Sequence, residues 1–264
     1  MGSGPNAETL SCGVITVCKN SAGTIRRTID SVFRQTVRPL QYVFVDGGSR
    51  DDTLSIVEAA TTESERRRLG ILCEVIHQHN EGITQAWNIG IHAMTADIVC
   101  ILNSDDWYDH DTLEKVLARF ARRHDAGIVL GSGRYFNGPG DTSPRICHPR
   151  PSFLLPLTMT VIHPACFVRR EMYRRVGRYD EQYRIAADYD FVYRCHHAGV
   201  RFVRAPEVMV NVLRGGIAET NMALGWREVT HIGRRHAFLP LLPVASAIAR
   251  RWLGSGAVQG RADD

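Results

Sequence analysis

A chain of 264 residues is long enough for one large α/β domain with a sizeable core, or for two small domains. Its 44% hydrophobic and 23% charged residues, without a low-complexity stretch, exclude a disordered chain. The net charge of +4 comes from arginine, since Lys19 and Lys115 are the lysines present; it suits a phosphorylated substrate or an anionic membrane face and falls short of a nucleic-acid binder's footprint.

Residues 14–18 read as a strand and 24–35 as a helix with Ile25, Ile29, Val32 and Phe33 on one face. A second strand, 40–45, ends at Asp46-Gly47-Gly48-Ser49, followed by a helix over 53–68, a strand over 71–76 and a helix over 83–94. Residues 97–102 read as another strand, ending at Asn103-Ser104-Asp105-Asp106. This alternation predicts βαβ units and a mainly parallel central sheet flanked by helices. Ligands of such sheets bind beyond the carboxyl ends of the strands, where these polar clusters fall. Downstream, 112–124 reads as a helix, 127–131 as a strand, and the glycine- and proline-rich 131–152 as a long loop. A strand over 161–169, a helix over 188–197 stopped by Gly199, short strands over 200–204 and 207–213, and helical structure over 219–253 complete the chain. There is no internal repeat and no clean linker. The expected organisation is one compact site-bearing domain over 1–218, with 219–264 as a helical extension that packs on it or mediates association.

Seven cysteines, at 12, 18, 73, 100, 147, 166 and 195, form no C-x-x-C pair and sit mostly in apolar runs. They read as free thiols in a reducing compartment, not as a zinc site or a disulfide framework. The N-terminus lacks a basic segment followed by an apolar one, and the longest apolar stretch, 239–249, is interrupted by Pro240 and Pro243. Neither a signal peptide nor a membrane span is expected, which points to the cytoplasm.

Three constellations carry chemistry. In Ile101-Leu102-Asn103-Ser104-Asp105-Asp106-Trp107, adjacent carboxylates at a strand end repel each other unless a cation lies beside them. A hard divalent ion, Mg2+ or Mn2+, resolves that repulsion and can clamp a diphosphate; a simple turn is the alternative. In Val45-Asp46-Gly47-Gly48-Ser49-Arg50-Asp51-Asp52-Thr53, glycines allow close backbone approach and Asp46 can accept hydrogen bonds from a nucleobase or ribose. There Asp51 or Asp52 alternatively caps the next helix, and neither a G-x-G-x-x-G fingerprint nor a phosphate loop is present. In Ala186-Ala187-Asp188-Tyr189-Asp190-Phe191, one aspartate can cap the helix while the other faces the strand ends as a proton acceptor; spacing leaves the choice open.

Ordered short motifs resolve that choice. They include Ile15-Thr16-Val17-Cys18-Lys19-Asn20, Asp30-Ser31-Val32-Phe33-Arg34-Gln35-Thr36, Asn80-Glu81-Gly82-Ile83, Trp87-Asn88-Ile89-Gly90 and Leu102-Asn103-Ser104-Asp105-Asp106. His163-Pro164, Gly177-Arg178-Tyr179-Asp180, Ala187-Asp188-Tyr189-Asp190 and Arg214-Gly215-Gly216 follow. Together, from about residue 12 to 216, they resemble the family 2 inverting glycosyltransferases of hexosyltransferase type, which have the GT-A fold. The resemblance implies a nucleoside-diphosphate sugar donor and a glycan, lipid-linked or small-molecule acceptor. It implies that Asp46 contacts the nucleotide, with Thr16, Cys18 and Asn20 lining the same pocket, and that Gly48, Asn88, Asn103, Ser104 and Arg214 belong to the donor site. It further implies that Asp105 holds the metal on the diphosphate, that Asp188 is the general base, and that Asp190 is structural.

Two departures qualify the resemblance. Asn103 stands where the family's metal motif often begins with Asp, and Ile248 leaves the Gln-x-x-Arg-Trp step of processive members incomplete before Arg251-Trp252. Single-sugar transfer is therefore expected. His163 can face the acceptor or pack in the core. The 219–253 segment, ending in Arg250, Arg251 and Trp252, suits a peripheral membrane contact, a docked helix or a homodimer contact equally. A nucleotidyltransferase is disfavoured because Lys19-Asn20-Ser21-Ala22-Gly23 matches its phosphate loop poorly. A non-catalytic sugar-nucleotide-binding protein is disfavoured by the presence of Asp105 and Asp188.

Overall fold

The computed structural model describes residues 10–62, 69–79, 82–155 and 159–236. In its first half, β1 (Cys12–Cys18), α1 (Ile25–Phe33), β2 (Gln41–Asp46), α2 (Thr53–Ala60), β3 (Leu72–His77), α3 (Ile83–Ala93) and β4 (Ile98–Ile101) alternate as expected. Then come β5 (Trp107–Tyr108), α4 (Thr112–Arg122), β6 (Ala126–Phe136), β7 (Arg145–Cys147), β8 (Cys166–Arg169), α5 (Arg170–Val176), α6 (Ala187–His197) and β9 (Arg201–Leu213). The described part of the C-terminal segment forms α7 (Ile217–Thr220) and α8 (Met222–His236). The predicted helix over 53–68 ends at Ala60; its residues 63–68, residues 237–253 of the predicted 219–253 helix and the Asn80-Glu81 pair lie outside the described residues. No helix among the described residues is long and apolar enough to cross a membrane.

One sheet runs in the order β3-β2-β1-β4-β8-β6-β9-β5, with β7 paired to β6. The β3-β2-β1-β4 half is parallel, whereas β8 is antiparallel to both β4 and β6, and β6 is parallel to β9. The whole is a mixed α/β fold, parallel where βαβ units build it and antiparallel where shorter connections return the chain. Registers align Cys18 with Asp46, and Ile15 with Ile101, so the carboxyl ends of β1, β2 and β4 reach one rim.

Both faces of the sheet are covered, which is why the inner strands read as unbroken apolar runs. Ile15, Val17, Val43, Val45, Val99 and Ile101 pack with Ala86, Trp87 and Ile91 of α3 and Tyr189 and Phe191 of α6. Their alternates Val14, Tyr42, Phe44 and Cys100 pack with Ile25, Ile29 and Val32 of α1 and Leu113, Val116 and Phe120 of α4. Gly90 sits where a Cβ would lie 2.5 Å from Ile15 Cγ2, so α3 approaches β1 more closely than any side chain there would allow.

The second half departs from expectation at three places. The predicted loop 131–152 instead continues β6 to Phe136 and returns as β7. Gly131 and Gly133 are strand glycines that admit Met209 and Ile162 against the backbone, not turn formers. The two strands expected over 200–213 are one, β9, whose register against β6 shifts near Pro206; the Ser132 hydroxyl donates to the Pro206 carbonyl at 2.9 Å. Finally, the strand expected over 161–169 is interrupted by a 3-10 turn, His163–Ala165.

Candidate functional site

The loop after β2 is built by its own carboxylate. Asp46 is 1% exposed and accepts hydrogen bonds from the Gly48 and Ser49 N–H groups, each at 3.0 Å, and from the Ser49 hydroxyl at 2.5 Å. Gly48 has φ +79°, a conformation that a side chain strains. The loop is then tied to the end of β1: Asn20 Oδ1 accepts the Arg50 N–H at 2.9 Å, and the Asn20 N–H donates to Ser49 Oγ at 2.9 Å. Cys18 is nearly buried, and its thiol is pushed up to about 12 by burial and then by Asp46. Thr16 is wholly buried with its hydroxyl 3.0 Å from that of Tyr42, so it ties two strands together and offers no surface to a ligand. Thr16, which the resemblance puts in the nucleotide pocket, lies beneath the loop that Asp46 shapes.

The loop after β4 separates its two carboxylates. Asp106 is 2% exposed, accepting the Asn103 amide at 3.1 Å and the Leu213 N–H at 3.3 Å. Burial, and then the charge of Asp105, hold Asp106 well above the usual carboxylate range. Asp105 is more open; burial raises it and the Arg27 guanidinium opposes that rise. Arg27 donates to the Asp105 carbonyl at 3.1 Å and lies 3.6 Å over the Trp107 ring, so α1 clamps the loop from outside. Ser104 Oγ is 2.8 Å from Ser21 Oγ. A Cβ on Gly216 would stand 3.7 Å from Asp105 Oδ2, so the chain after β9 reaches this carboxylate. Arg214, on that stretch, is exposed and donates to Glu219 at 2.9 Å and to Asn137 at 3.2 Å.

These residues fit a divalent cation held jointly with a ligand. Among the described residues Asn103 Oδ1 is a buried acceptor without a hydrogen-bond partner, two residues before the more open Asp105 carboxylate. Among the described residues no three His, Cys, Asp or Glu side chains converge. Magnesium-type sites commonly use one or two carboxylates and complete their shell with substrate phosphates and water.

At α6 the two aspartates differ as sharply. Asp190 is fully buried, accepting Arg194 Nε at 2.7 Å and facing His236 Nε2 at 3.2 Å; it is a structural ion pair. Asp188 has no cation partner among the described residues, and its carboxyl is pushed up to about 6, chiefly by burial. Its Oδ1 accepts the adjacent Tyr189 N–H at 2.7 Å, and a carboxyl raised by burial with no cation beside it marks a functional candidate. Tyr135 of β6, held protonated by burial, lies within electrostatic range of both Asp106 and Asp188.

Asn88 does not present its amide to this rim. Its Nδ2 donates to the Tyr179 carbonyl at 2.9 Å and to Glu181 at 2.8 Å, while its Oδ1 accepts the Tyr179 N–H at 3.0 Å. The resemblance puts Asn88 in the donor site; its amide clamps the 177–183 loop. His163 packs at 4.4 Å against Trp87 with Nε2 3.0 Å from the Tyr179 hydroxyl, and burial lowers it to about 4, so the ring is a neutral core histidine. Glu228 was not foreseen. Its carboxylate accepts the N–H groups of Arg184, Ile185 and Ala186 at 2.9, 2.9 and 2.8 Å, just ahead of α6. No local signal marks it, because it sits 42 residues beyond Ala186 on an ordinary amphipathic helix.

A cleft of about 980 Å³ walled by Leu117, Ala121, Ala126 and Arg201 lies at the other end of the sheet, where β6 and β9 begin. It holds none of these residues. The polar rim is instead where open parallel sheets bind ligands, next to the switch in strand order between β1 and β4.

Comparison with known proteins bears on the fold and the family. A glycosyltransferase of PGL/p-HBAD biosynthesis from Mycobacterium bovis (strain BCG / Pasteur 1173P2) is 29% identical over 210 residues, 76% of each chain. The crystal structure of S. aureus TarS 1-349 in complex with UDP-GlcNAc superposes with a TM-score of 0.71 at 16% identity, over 96% of this chain and 76% of that one. The mannosyltransferase PcManGT from Pyrobaculum calidifontis, in complex with GDP-Man and Mn2+, superposes at 0.62 with 21% identity, over 97% and 77% of the two chains. These likenesses show the GT-A fold. The sequence model of the glycosyl transferase family 2 matches residues 13–177, more than half of the chain and every strand of the parallel half; the chain belongs to glycosyl transferase family 2.

Proposed function

We propose that the chain is an inverting glycosyltransferase that moves a single sugar from a nucleoside-diphosphate sugar to a hydroxyl of a glycan, a lipid-linked acceptor or a small molecule. The observation that carries this is the Asp188 carboxyl, uncompensated by any cation among the described residues and pushed up to about 6. Such a group is ionised at neutral pH yet basic enough to take a proton from an attacking hydroxyl. Its neighbours spend their charge elsewhere: Asp190 on Arg194, and Asp106 on Asn103 and Leu213. A glycosyltransferase relative, and superposing structures that hold UDP-GlcNAc or GDP-Man with Mn2+, support the donor class.

The chain's residues divide the work. The Gly47–Ser49 turn, shaped by Asp46 and braced by Asn20, offers backbone groups and an open edge at Gly48 to the base and ribose, with Thr16 and Cys18 supporting it from below. Asp105 and Asn103 Oδ1 would hold Mg2+ or Mn2+, which supplies neutralisation of the departing diphosphate when bound. Ser104 lies beside them, and Arg214 is on the stretch that reaches Asp105, with a guanidinium suited to phosphate oxygens. Asp188 removes the acceptor proton as the acceptor oxygen bonds to the anomeric carbon. The bond from that carbon to the diphosphate breaks on the opposite side, so one displacement inverts the configuration and needs no second carboxylate.

The test is Asp188→Asn. Binding of UDP or GDP with Mn2+, measured by calorimetry, is expected to persist while transfer drops at least ~100-fold. Normal transfer by this variant removes Asp188 as the base. A thermal-shift panel of UDP-, GDP- and dTDP-sugars with Mn2+ identifies the donor nucleotide.

A further inference from the structure

The N-terminus of α6 lacks a cap of its own. Its N-cap residue is Ala186, which has no side-chain acceptor, so the leading N–H groups must be satisfied from elsewhere. Glu228 of α8 takes the N–H of Ala186 and of the two residues before it: an 8% exposed carboxylate that gathers three successive peptide N–H groups, 184 to 186, within 2.9 Å, while the Tyr189 N–H inside the helix donates to Asp188 Oδ1 at 2.7 Å. The next residue but one is Asp188. The clamp is backed by close packing, since a Cβ on Gly225 would lie 3.2 Å from Ile185 Cγ2, and by the His236 contact to Asp190 at 3.2 Å.

We propose that Glu228 is a positioning residue for sugar transfer: by fixing the 184–186 backbone it sets the direction in which α6 begins and so aims the Asp188 carboxyl at the acceptor. This rests on Asp188 being the base. Docking α8 on the domain is the simpler use for a buried glutamate. Docking alone, however, does not require all three bonds to converge on the peptides that lead into the base, nor a second negative charge close to it. That charge has a chemical effect. After burial and the local backbone bonds, Glu228 is what disfavours ionisation of Asp188, keeping it more basic. The other titratable groups facing Asp188 are Tyr135 of β6, Cys166 of β8 and Tyr179 of the loop before α6, all kept protonated by burial. Asp190, two residues further on, is paired with Arg194 and His236. Glu228 is therefore the charge in this neighbourhood that bears on the base.

The experiment compares Glu228→Gln with Ile232→Val, a truncation of a buried residue on the same helix that leaves the clamp intact. For Glu228→Gln, kcat is expected to fall about ten- to a hundredfold with donor KM unchanged, because a small misplacement of the reacting group is enough. The acid limb of the pH profile moves to lower pH, and a carboxyl-carbon NMR titration of Asp188 shows the same downward shift without reference to activity. Ile232→Val, even with an equal loss in Tm, moves neither. Glu228→Asp keeps the charge but shortens the reach, so it holds the limb near its wild-type position at reduced kcat; it takes the place of Glu228→Gln in the comparison with Ile232→Val if the glutamine variant does not fold. A glutamine variant that behaves as Ile232→Val, with the limb and titration unmoved, overturns the assignment. So does an aspartate variant with full kcat. If Asp188→Asn is active, the base reading itself has failed; if it is inactive while Glu228→Gln is normal, only the role of Glu228 falls.

Discussion

Replacing Asp188, the proposed base, is expected to stabilise the fold. The Asp188 carboxyl titrates at about 6 in the folded protein against a reference value of 3.8, because burial opposes its charge. The folded state therefore binds a proton between these values that the unfolded chain has already released. Stability from this group is greatest below pH 3.8, falls as pH rises through the window, and is absent above about 6. At neutral pH the ionised side chain costs the fold up to about 3 kcal/mol, which solvent reaching its partly open side chain reduces to roughly 1–2 kcal/mol. Asparagine removes that charge at nearly constant volume. Asp188→Asn should then unfold about 2–6 °C above wild type at pH 7, taking a few degrees per kcal/mol for a chain of this size. Calorimetric scans at pH 7 and pH 5 provide the assay, and the gap should shrink at pH 5 as the wild-type carboxyl takes up its proton. An asparagine variant that melts at or below the wild type at pH 7, or a gap that does not change with pH, refutes the desolvated-carboxyl account. The cost is what a site accepts when it needs a basic carboxylate more than it needs stability.

The same carboxyl predicts the rate profile: transfer should be level above pH 7 and fall about tenfold per unit well below pH 6, with initial rates at fixed Mn2+ as the check. Chelation with EDTA should abolish transfer and return it on adding Mn2+, and Asp105→Asn should raise the Mn2+ concentration needed by about tenfold or more; turnover unaffected by EDTA removes the metal from the site. Gly90→Ala places a methyl 2.5 Å from Ile15 Cγ2 and should cost about 1–3 kcal/mol by urea unfolding, partly recovered by Ile15→Val; an unchanged midpoint would mean that α3 and β1 separate freely.

How much of this was legible beforehand follows the range of the forces involved. The first seven elements were readable because their signals are local. Buried parallel strands are continuous apolar runs, such as 41–45, bounded by turn formers, and α1 repeats its apolar face at Ile25, Ile29 and Val32. Short ordered motifs around those turns were enough to indicate the family and to bring Asp46, Asp105 and Asp188 to notice. Beyond residue 131 the local signals mislead. Gly131 and Gly133 look like loop residues, yet they serve a strand that needs room for Met209 and Ile162, and Pro206 looks like a break yet interrupts only the register of β9.

The family motifs pointed to one member of each aspartate pair, and the tertiary structure supplies the physical difference between chemically identical neighbours. In sequence, Asp105 and Asp106 are a pair, as are Asp188 and Asp190. In the fold, Leu213 and Asn103 occupy Asp106, Arg194 and His236 occupy Asp190, and the other member of each pair is more open. Asn88 and Thr16 were drawn inward in the same way, onto Tyr179 and Tyr42. Desolvation and remote hydrogen-bond partners set the state of a carboxylate, and both are supplied by elements far along the chain. Glu228, reaching the approach to Asp188 from the C-terminal helix, belongs to that class: the residue is plain in the sequence, and its partners exist only once the chain has folded.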